Sequence, residues 1–72
     1  MPFASVKVIK GVFSDAEKQR LIENVSEAII EVEGEGLREK TVVILEETRS
    51  GDWGVGGAAL TTETVRALRK GA

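Results

Sequence analysis

Cysteine and histidine are both absent from this sequence of 72 residues. Without cysteine no disulfide can form, and without either residue we expect no structural zinc site. No apolar run approaches the roughly 20 residues that a membrane-spanning helix needs, and no signal peptide is recognisable before the first strand pattern. These absences favour a cytoplasmic protein with no membrane partner and with no metal or other cofactor.

An excess of charge is also absent, because the formal net charge is only −2 and Lys and Arg are scattered. Nucleic acid is therefore not an expected partner. A hydrophobic fraction of 42% indicates a folded chain, and we expect a single domain over residues 1–72. Such a small domain buries only about 60% of its unfolded surface. Without disulfides or metal, we expect oligomerisation to supply stability.

A strand is predicted over residues 3–9, directly after the only proline, Pro2, and Gly11 ends it. Its residues alternate weakly between two faces: Ala4, Val6 and Val8 on one, and Phe3, Ser5, Lys7 and Ile9 on the other. Because both faces carry apolar groups, we expect one face to be covered fully and the other in part.

A helix is predicted over residues 15–32. It starts at a capping box, in which the Ser14 hydroxyl accepts from the Glu17 N–H and the Glu17 carboxylate accepts from the Ser14 N–H. Gly34 is a natural stop. Apolar residues recur at helical spacing and form one stripe: Leu21, Ile22, Val25, Ala28, Ile29 and Val32.

A second strand is predicted over Lys40–Glu47, because residues 41–45 form a continuous β-branched and aliphatic run. Such a run is typical of a strand buried on both faces. Together the elements predict an α/β (α+β) fold, a single β-α-β unit with parallel strands. Two strands and one helix cannot close a core alone, so the sheet is expected to extend across a subunit boundary in a symmetric homo-oligomer.

Residues 50–57 hold four of the eight glycines and predict a glycine-rich hairpin arm around Trp53 and Val55. The segment lacks the Lys-Ser/Thr pair of a phosphate-binding loop. After the arm, Thr61 or Thr62 is predicted to cap a short C-terminal helix with Val65 and Leu68 on its apolar face.

Pro2 is a candidate general base. If Met1 is removed, its nitrogen becomes a secondary amine, and the reference pKa of an α-amino group is about 7.7–8.0. The alternative is structural, because a strand tolerates proline at its first position. From the residues alone, this alternative is the more favoured one.

Arg38 and Lys40 are candidate substrate-binding residues. Parallel strands start at the same end of a sheet, so the residues that enter the second strand are expected near Pro2. A base beside cations is typical of a site for a small anionic organic acid. The alternative is that both residues are simply exposed charges flanking a strand. Arg49 is a weaker candidate. Trp53 fits either a packed interface or an apolar wall over a pocket.

Together, these residues resemble the 4-oxalocrotonate tautomerase family: a Met-Pro start, the Ser-capped helix between two strands, and the Ser-Gly-Asp-Trp-Gly-Val-Gly-Gly segment at 50–57. The resemblance covers essentially the whole chain. It implies a β-α-β subunit in a hexamer, a trimer of dimers, and keto–enol proton transfer by Pro2 on an unsaturated 2-hydroxy or 2-oxo acid. Trp53 matches the aromatic pocket residue of the family.

The sequence departs from the family pattern at two positions. Val12 and Val42 stand where muconate-isomerising members have arginines, and each lost donor is worth several kcal/mol in a dry site. Two other functions therefore stay open. One is hydration or dehalogenation of an unsaturated acid, with Glu46, Glu47 or Asp52 activating water. The other is a non-catalytic subunit of a homohexamer or a mixed hexamer.

Overall fold

The computed structural model describes residues 2–71. Strands and helices follow one another in the order that the sequence predicts, with one added 3-10 helix. They are β1 (Phe3–Ile9), α1 (Asp15–Glu33), the 3-10 helix (Glu35–Lys40), β2 (Val42–Thr48), β3 (Trp53–Val55), β4 (Ala58–Leu60) and α2 (Thr62–Arg69).

The β1 and β2 strands form a parallel pair, and α1 connects them. The register runs from Phe3 opposite Val42 to Ile9 opposite Thr48. Parallel strands need a long crossover connection, which α1 and the 3-10 helix provide. The predicted β-α-β unit is confirmed.

The capping box of α1 is formed as predicted. The N–H of Glu17 donates to Ser14 Oγ at 3.1 Å, and the N–H of Ser14 donates to Glu17 Oε1 at 2.9 Å. At the other end, Gly34 has a φ of 104° and its N–H donates to the carbonyl of Ile30 at 2.8 Å. Glycine reaches this φ without steric cost, so the helix ends there.

The predicted apolar stripe of α1 is wrong in part. Val32 is 89% exposed, whereas Ile30, which was not included, is only 4% exposed. The helix is rotated so that Ile30 and the half-buried Ser26 and Ile22 share the inward face, four residues apart. Val32 and the exposed Ala28 form an apolar edge that nothing within residues 2–71 covers.

The second strand begins later than predicted, and its outer face is not buried. Lys40 is the last residue of the 3-10 helix, and β2 starts at Val42. On the face away from α1, Phe3 is 64% exposed, Val42 42% and Ile44 41%. The apolar run therefore has one covered face within the chain, because one helix can cover only one side of a sheet.

The glycine-rich arm is a hairpin, as predicted. β3 pairs with β4 in antiparallel register, with Trp53 opposite Leu60. Gly56 and Gly57 connect the strands with φ values of 58° and 84°. Positive φ at both central residues matches the twist of a tight hairpin and favours glycine at both positions.

The C-terminal helix α2 packs on the turn after β1. Thr61 caps it, because its side chain accepts from the N–H of Thr64. The buried Thr62 donates its hydroxyl to the carbonyl of Lys10 at 2.6 Å. Arg66 Nε donates to the carbonyl of Gly11 at 2.8 Å. Because these bonds hold α2 against the turn after β1, the end of the sheet remote from Pro2 is the better buried end.

The subunit is elongated, with principal extents of 42 × 23 × 18 Å. Its radius of gyration is 14.7 Å, whereas a compact chain of this length has a value of about 11 Å. Within residues 2–71, no side chain is less than 2% exposed. In the same range no helix is long and apolar enough to cross a membrane. The chain by itself therefore has only a small core.

Candidate active site

Pro2 lies at the head of β1, where both parallel strands begin. Its carbonyl accepts a hydrogen bond from the backbone N–H of Val42 at 3.2 Å, and Pro2 is half-buried. This bond fixes the backbone of Pro2 against the start of β2. The start of β2 at Val42 therefore lies beside Pro2, as the parallel arrangement predicts.

A shallow hollow lies between Pro2 and the C-terminal half of α1. It is lined by Pro2, Val25, Ala28, Ile29, Val32 and Glu33. The lining is apolar apart from one carboxylate. Because Ala28 and Val32 are exposed, one chain alone leaves the hollow open to solvent.

Glu33 supplies the carboxylate of this hollow. Its Oε2 accepts a hydrogen bond from the Thr41 hydroxyl. Its Oε1 is buried and has no hydrogen-bond partner among residues 2–71. Glu33 is not among the candidate site residues that the sequence predicts. The available signal was its position in the last turn before Gly34, directly ahead of β2.

Arg38 lies in the 3-10 helix and is already paired. Its Nη2 donates to Glu35 Oε2 at 2.8 Å and to Glu27 Oε1 at 3.1 Å. These hydrogen bonds, first with Glu27 and then with Glu35, raise the pKa of Arg38, and the Arg38 guanidinium lowers the pKa of Glu27. Arg38 therefore ties the 3-10 helix to α1, and a substrate carboxylate has to share it with two glutamates.

Lys40 is the less encumbered cation at this end of the sheet. It ends the 3-10 helix two residues before Val42 and is exposed. Among residues 2–71, its ammonium makes no ion pair. Lys40 is therefore available to an anion that approaches Pro2 from solvent.

Trp53 lies at the opposite end of the sheet in the same chain. It starts β3, after β2 has ended at Thr48. Strands of seven residues rising about 3.3 Å per residue place their two ends about 20 Å apart. Arg49 and Asp52, with 3.9 Å between Nε and Oδ2, share this remote end. One subunit does not bring Trp53 to Pro2.

The carboxylates considered for water activation on β2 have other partners. Glu46 accepts a hydrogen bond from Ser5 at 3.3 Å, and Glu47 is 3.3 Å from the Lys18 ammonium. Both lie in the second half of β2, away from Pro2. Neither is positioned at the hollow.

Val12 and Val42, which stand at the arginine positions of the resemblance, have different surroundings. Val12 is 8% exposed and lies where α2 packs, since its carbonyl accepts from Arg69 at 3.1 Å. Val42 is 42% exposed beside Phe3. Met1, on whose removal the proposed chemistry depends, is outside the described residues.

The family of the chain is decided by a family model described as "Tautomerase enzyme", which matches residues 2–63. The match spans Pro2, the β-α-β unit and the hairpin. The chain belongs to the 4-oxalocrotonate tautomerase family. This membership confirms the resemblance drawn from the Met-Pro start and the glycine-rich segment.

Similarity to individual members supports the same family assignment. The 2-hydroxymuconate tautomerase of Bacillus subtilis is 39% identical over 61 residues, which is 85% of this chain and 95% of that protein. The crystal structure of YwhB, a homologue of 4-oxalocrotonate tautomerase, is 38% identical with a TM-score of 0.71, and the match covers 81% of this chain and 92% of YwhB.

TomN, a 4-oxalocrotonate tautomerase homologue in the tomaymycin biosynthetic pathway, is also similar in structure. It is 31% identical with a TM-score of 0.73, and the match covers 99% of this chain and 97% of TomN. The predicted fold class is therefore confirmed, and the family supports an isomerase of the tautomerase type.

Proposed function

We propose that this chain is a cofactor-independent tautomerase in which Pro2 is the general base and acid. Family membership supports the reaction class. The observation that carries the residue assignment is the position of Pro2. It heads β1, its carbonyl is fixed by the N–H of Val42, and its ring lines an apolar hollow.

The chemistry requires a free secondary amine, which removal of Met1 supplies. Apolar surroundings disfavour a charged amine and lower its pKa, so neutral Pro2 is available at pH 7. Its lone pair forms an N–H bond with the enol proton of the substrate, while the O–H electron pair becomes the carbonyl bond. The C=C electron pairs shift along the conjugated system, and the carbon at its end uses its pair to form a C–H bond with the proton held by Pro2, which regenerates the neutral amine.

The proposed substrate is a small unsaturated 2-hydroxy or 2-oxo acid. Lys40, with Arg38 as a shared second cation, holds its carboxylate by charge-assisted hydrogen bonds. Trp53 from a neighbouring subunit covers the open hollow and excludes water. Two observations support this arrangement: Lys40 makes no ion pair within residues 2–71, and the apolar edge at Val32 is exposed.

We further propose that the active form is a homo-oligomer, with the family's hexamer, a trimer of dimers, as the expected assembly. The elongated shape and the exposed apolar face formed by Phe3, Val42 and Ile44 support an assembled state. Burying such apolar area stabilises by roughly 25 cal/mol per Å².

The test is ketonisation of phenylenolpyruvate or 2-hydroxymuconate by wild-type protein and by the Pro2→Ala variant. The N-terminus of each is checked by intact mass first. A general base contributes about 10²–10⁴-fold, so we expect a loss of at least roughly 100-fold in kcat/KM. Equal rates in both proteins would remove Pro2 from the mechanism.

A non-catalytic subunit is the second candidate, and the valines at positions 12 and 42 favour it. It predicts a stable oligomer without Pro2-dependent turnover. A retained Met1 in the mass spectrum would support it directly, because an amide nitrogen has no usable lone pair.

A further inference from the structure

The last turn of α1 brings a carboxylate to the same end of the sheet as Pro2. Thr41 donates its hydroxyl to Glu33 Oε2, and the next residue, Val42, donates its N–H to the Pro2 carbonyl. Two consecutive residues therefore hold Glu33 and Pro2 to the start of β2. Glu33 and Pro2 also line one hollow.

The second oxygen of Glu33 is the feature that requires an explanation. Oε1 is buried, and no donor within residues 2–71 reaches it. A buried polar atom without a partner costs about 1–3 kcal/mol, and a donor that arrives in another state of the protein removes this cost. A protonated secondary amine at Pro2 is a donor of this kind.

Glu33 supplies the one charged side chain among the residues that line the hollow with Pro2. Every other side chain that lines the hollow is apolar. On the segment that enters β2, Arg38 is held by two glutamates, whereas Glu39 and Lys40 are exposed to solvent. Solvent screens exposed charges, and a charge inside the hollow is screened less.

We propose that Glu33 is a positioning residue for Pro2: its Oε1 accepts a hydrogen bond from the protonated nitrogen. This inference rests on the proposed function, because it requires the free amine. The carboxylate stabilises the charged amine that forms when Pro2 takes the substrate proton. It opposes the apolar lining, which favours the neutral amine. Glu33 thereby orients the N–H bonds and keeps the pKa of Pro2 from falling too low for proton transfer.

The experiment uses the fact that Pro2 is the only proline of the sequence. Protein labelled with ¹⁵N-proline reports the titration of this nitrogen alone. In Glu33→Gln we expect the pKa of Pro2 to fall by about one unit, as for loss of a nearby opposite charge. The pH profile of kcat/KM is expected to shift in the same direction.

Two further variants separate a charge effect from a structural one. Glu31→Gln removes the same charge from an exposed position of the same helix, outside the hollow, and is expected to change the titration far less. Glu33→Asp keeps the charge. The pKa of Pro2 in this variant is therefore expected to lie closer to the wild-type value than the pKa of Pro2 in Glu33→Gln. Circular dichroism checks that each variant is folded.

The outcomes distinguish this inference from the proposed function. A titrating Pro2 whose pKa is the same in wild type, Glu33→Gln and Glu31→Gln overturns the role of Glu33 and leaves the proposed function standing. A wild-type Pro2 nitrogen that does not titrate at all overturns both.

Discussion

Pro2 experiences two opposing influences in its immediate surroundings. The valine, alanine and isoleucine side chains of the hollow disfavour a charge on its nitrogen, whereas the free oxygen of Glu33 favours one. A general base works best when its pKa is near the working pH. The proposed mechanism therefore needs the apolar side chains and the Glu33 carboxylate to have opposing effects on the pKa of Pro2; a proline alone is not enough.

The two cations near the start of β2, Lys40 and Arg38, are expected to have different roles. Lys40→Gln is expected to raise KM for an anionic substrate roughly tenfold with a smaller change in kcat, because a hydrogen bond to a charged group contributes about 1.5–3 kcal/mol. Arg38→Gln is expected to raise KM less and to lower the free energy of unfolding, because it breaks the pairs with Glu27 and Glu35. Steady-state kinetics and urea unfolding measure the two effects.

Lys70→Gln is the matched control for the cation experiment. Lys70 follows α2 at the remote end of the sheet, is exposed, and makes no ion pair among residues 2–71. If Lys40→Gln and Lys70→Gln change KM equally, the assignment of Lys40 to the substrate carboxylate is wrong.

At the scale of elements, α1 and α2 are joined at the first turn of α1. The Arg69 guanidinium hydrogen-bonds to the Glu17 carboxylate and lies 4.6 Å from the centroid of the Phe13 ring. Arg69 and the N–H of Ser14 lower the pKa of Glu17 from 4.5 to about 2. One carboxylate thus caps α1 and anchors α2.

The lowered pKa predicts how this junction responds to acid. A carboxylate with a depressed folded-state pKa contributes stability in full above its unfolded pKa, and the contribution is lost as pH falls through the folded pKa. For Glu17 the loss is expected between about pH 4.5 and pH 2. Urea unfolding of wild type and Glu17→Gln, at one protein concentration, is expected to show a stability difference above this window that disappears at its acid end.

Glutamine at position 17 still forms a capping box, so Glu17→Gln removes the charge and keeps the cap. Glu23→Gln, at an exposed position in the middle of α1, serves as the control. If both variants lose the same stability at every pH, the Glu17–Arg69 pair does not stabilise the fold. Because the pair is partly exposed, salt is expected to reduce the effect.

At the scale of the whole molecule, the two parts of the proposed active site lie at opposite ends of the β1–β2 sheet. Pro2 and the hollow lie where the parallel strands begin, and Trp53 lies beyond their far end. One outer face of the sheet and one edge of α1 stay apolar and exposed. The proposed site, with Trp53 at the hollow, therefore requires a second subunit.

A complementation experiment tests this requirement. Pro2→Ala and Trp53→Ala subunits, each expected to have low activity, are mixed by joint refolding. Mixed oligomers contain some sites with an intact Pro2 from one subunit and an intact Trp53 from its neighbour, so enol ketonisation is expected to exceed that of either variant alone.

Refolding Pro2→Ala with the double variant that lacks both residues provides the control, since no site then holds an intact Pro2. Absence of any recovery in the first mixture, with oligomers verified by sedimentation, would contradict a shared site. Full activity of Trp53→Ala alone would contradict the role of Trp53.

Features that depend on residues close together in the chain follow from the sequence alone. The capping box at Ser14, the helix stop at Gly34 and the hairpin at Gly56 and Gly57 are formed by local hydrogen bonds and by the φ values that glycine allows. The alternation of residues 3–8 also separated the half-buried face of β1 from its exposed face, because side chains of a strand alternate by geometry.

The way in which these elements meet depends on long-range packing, which the sequence pattern does not reveal. The rotation of α1 that buries Ile30 and exposes Val32, and the 3-10 helix that moves Lys40 out of β2, depend on packing between distant segments. The contact of Thr41 with Glu33, and with it the carboxylate beside Pro2, joins a helix end to a strand start. Composition and periodicity carry no information on such a contact, because it depends on where the crossover connection places the end of α1 relative to the start of β2.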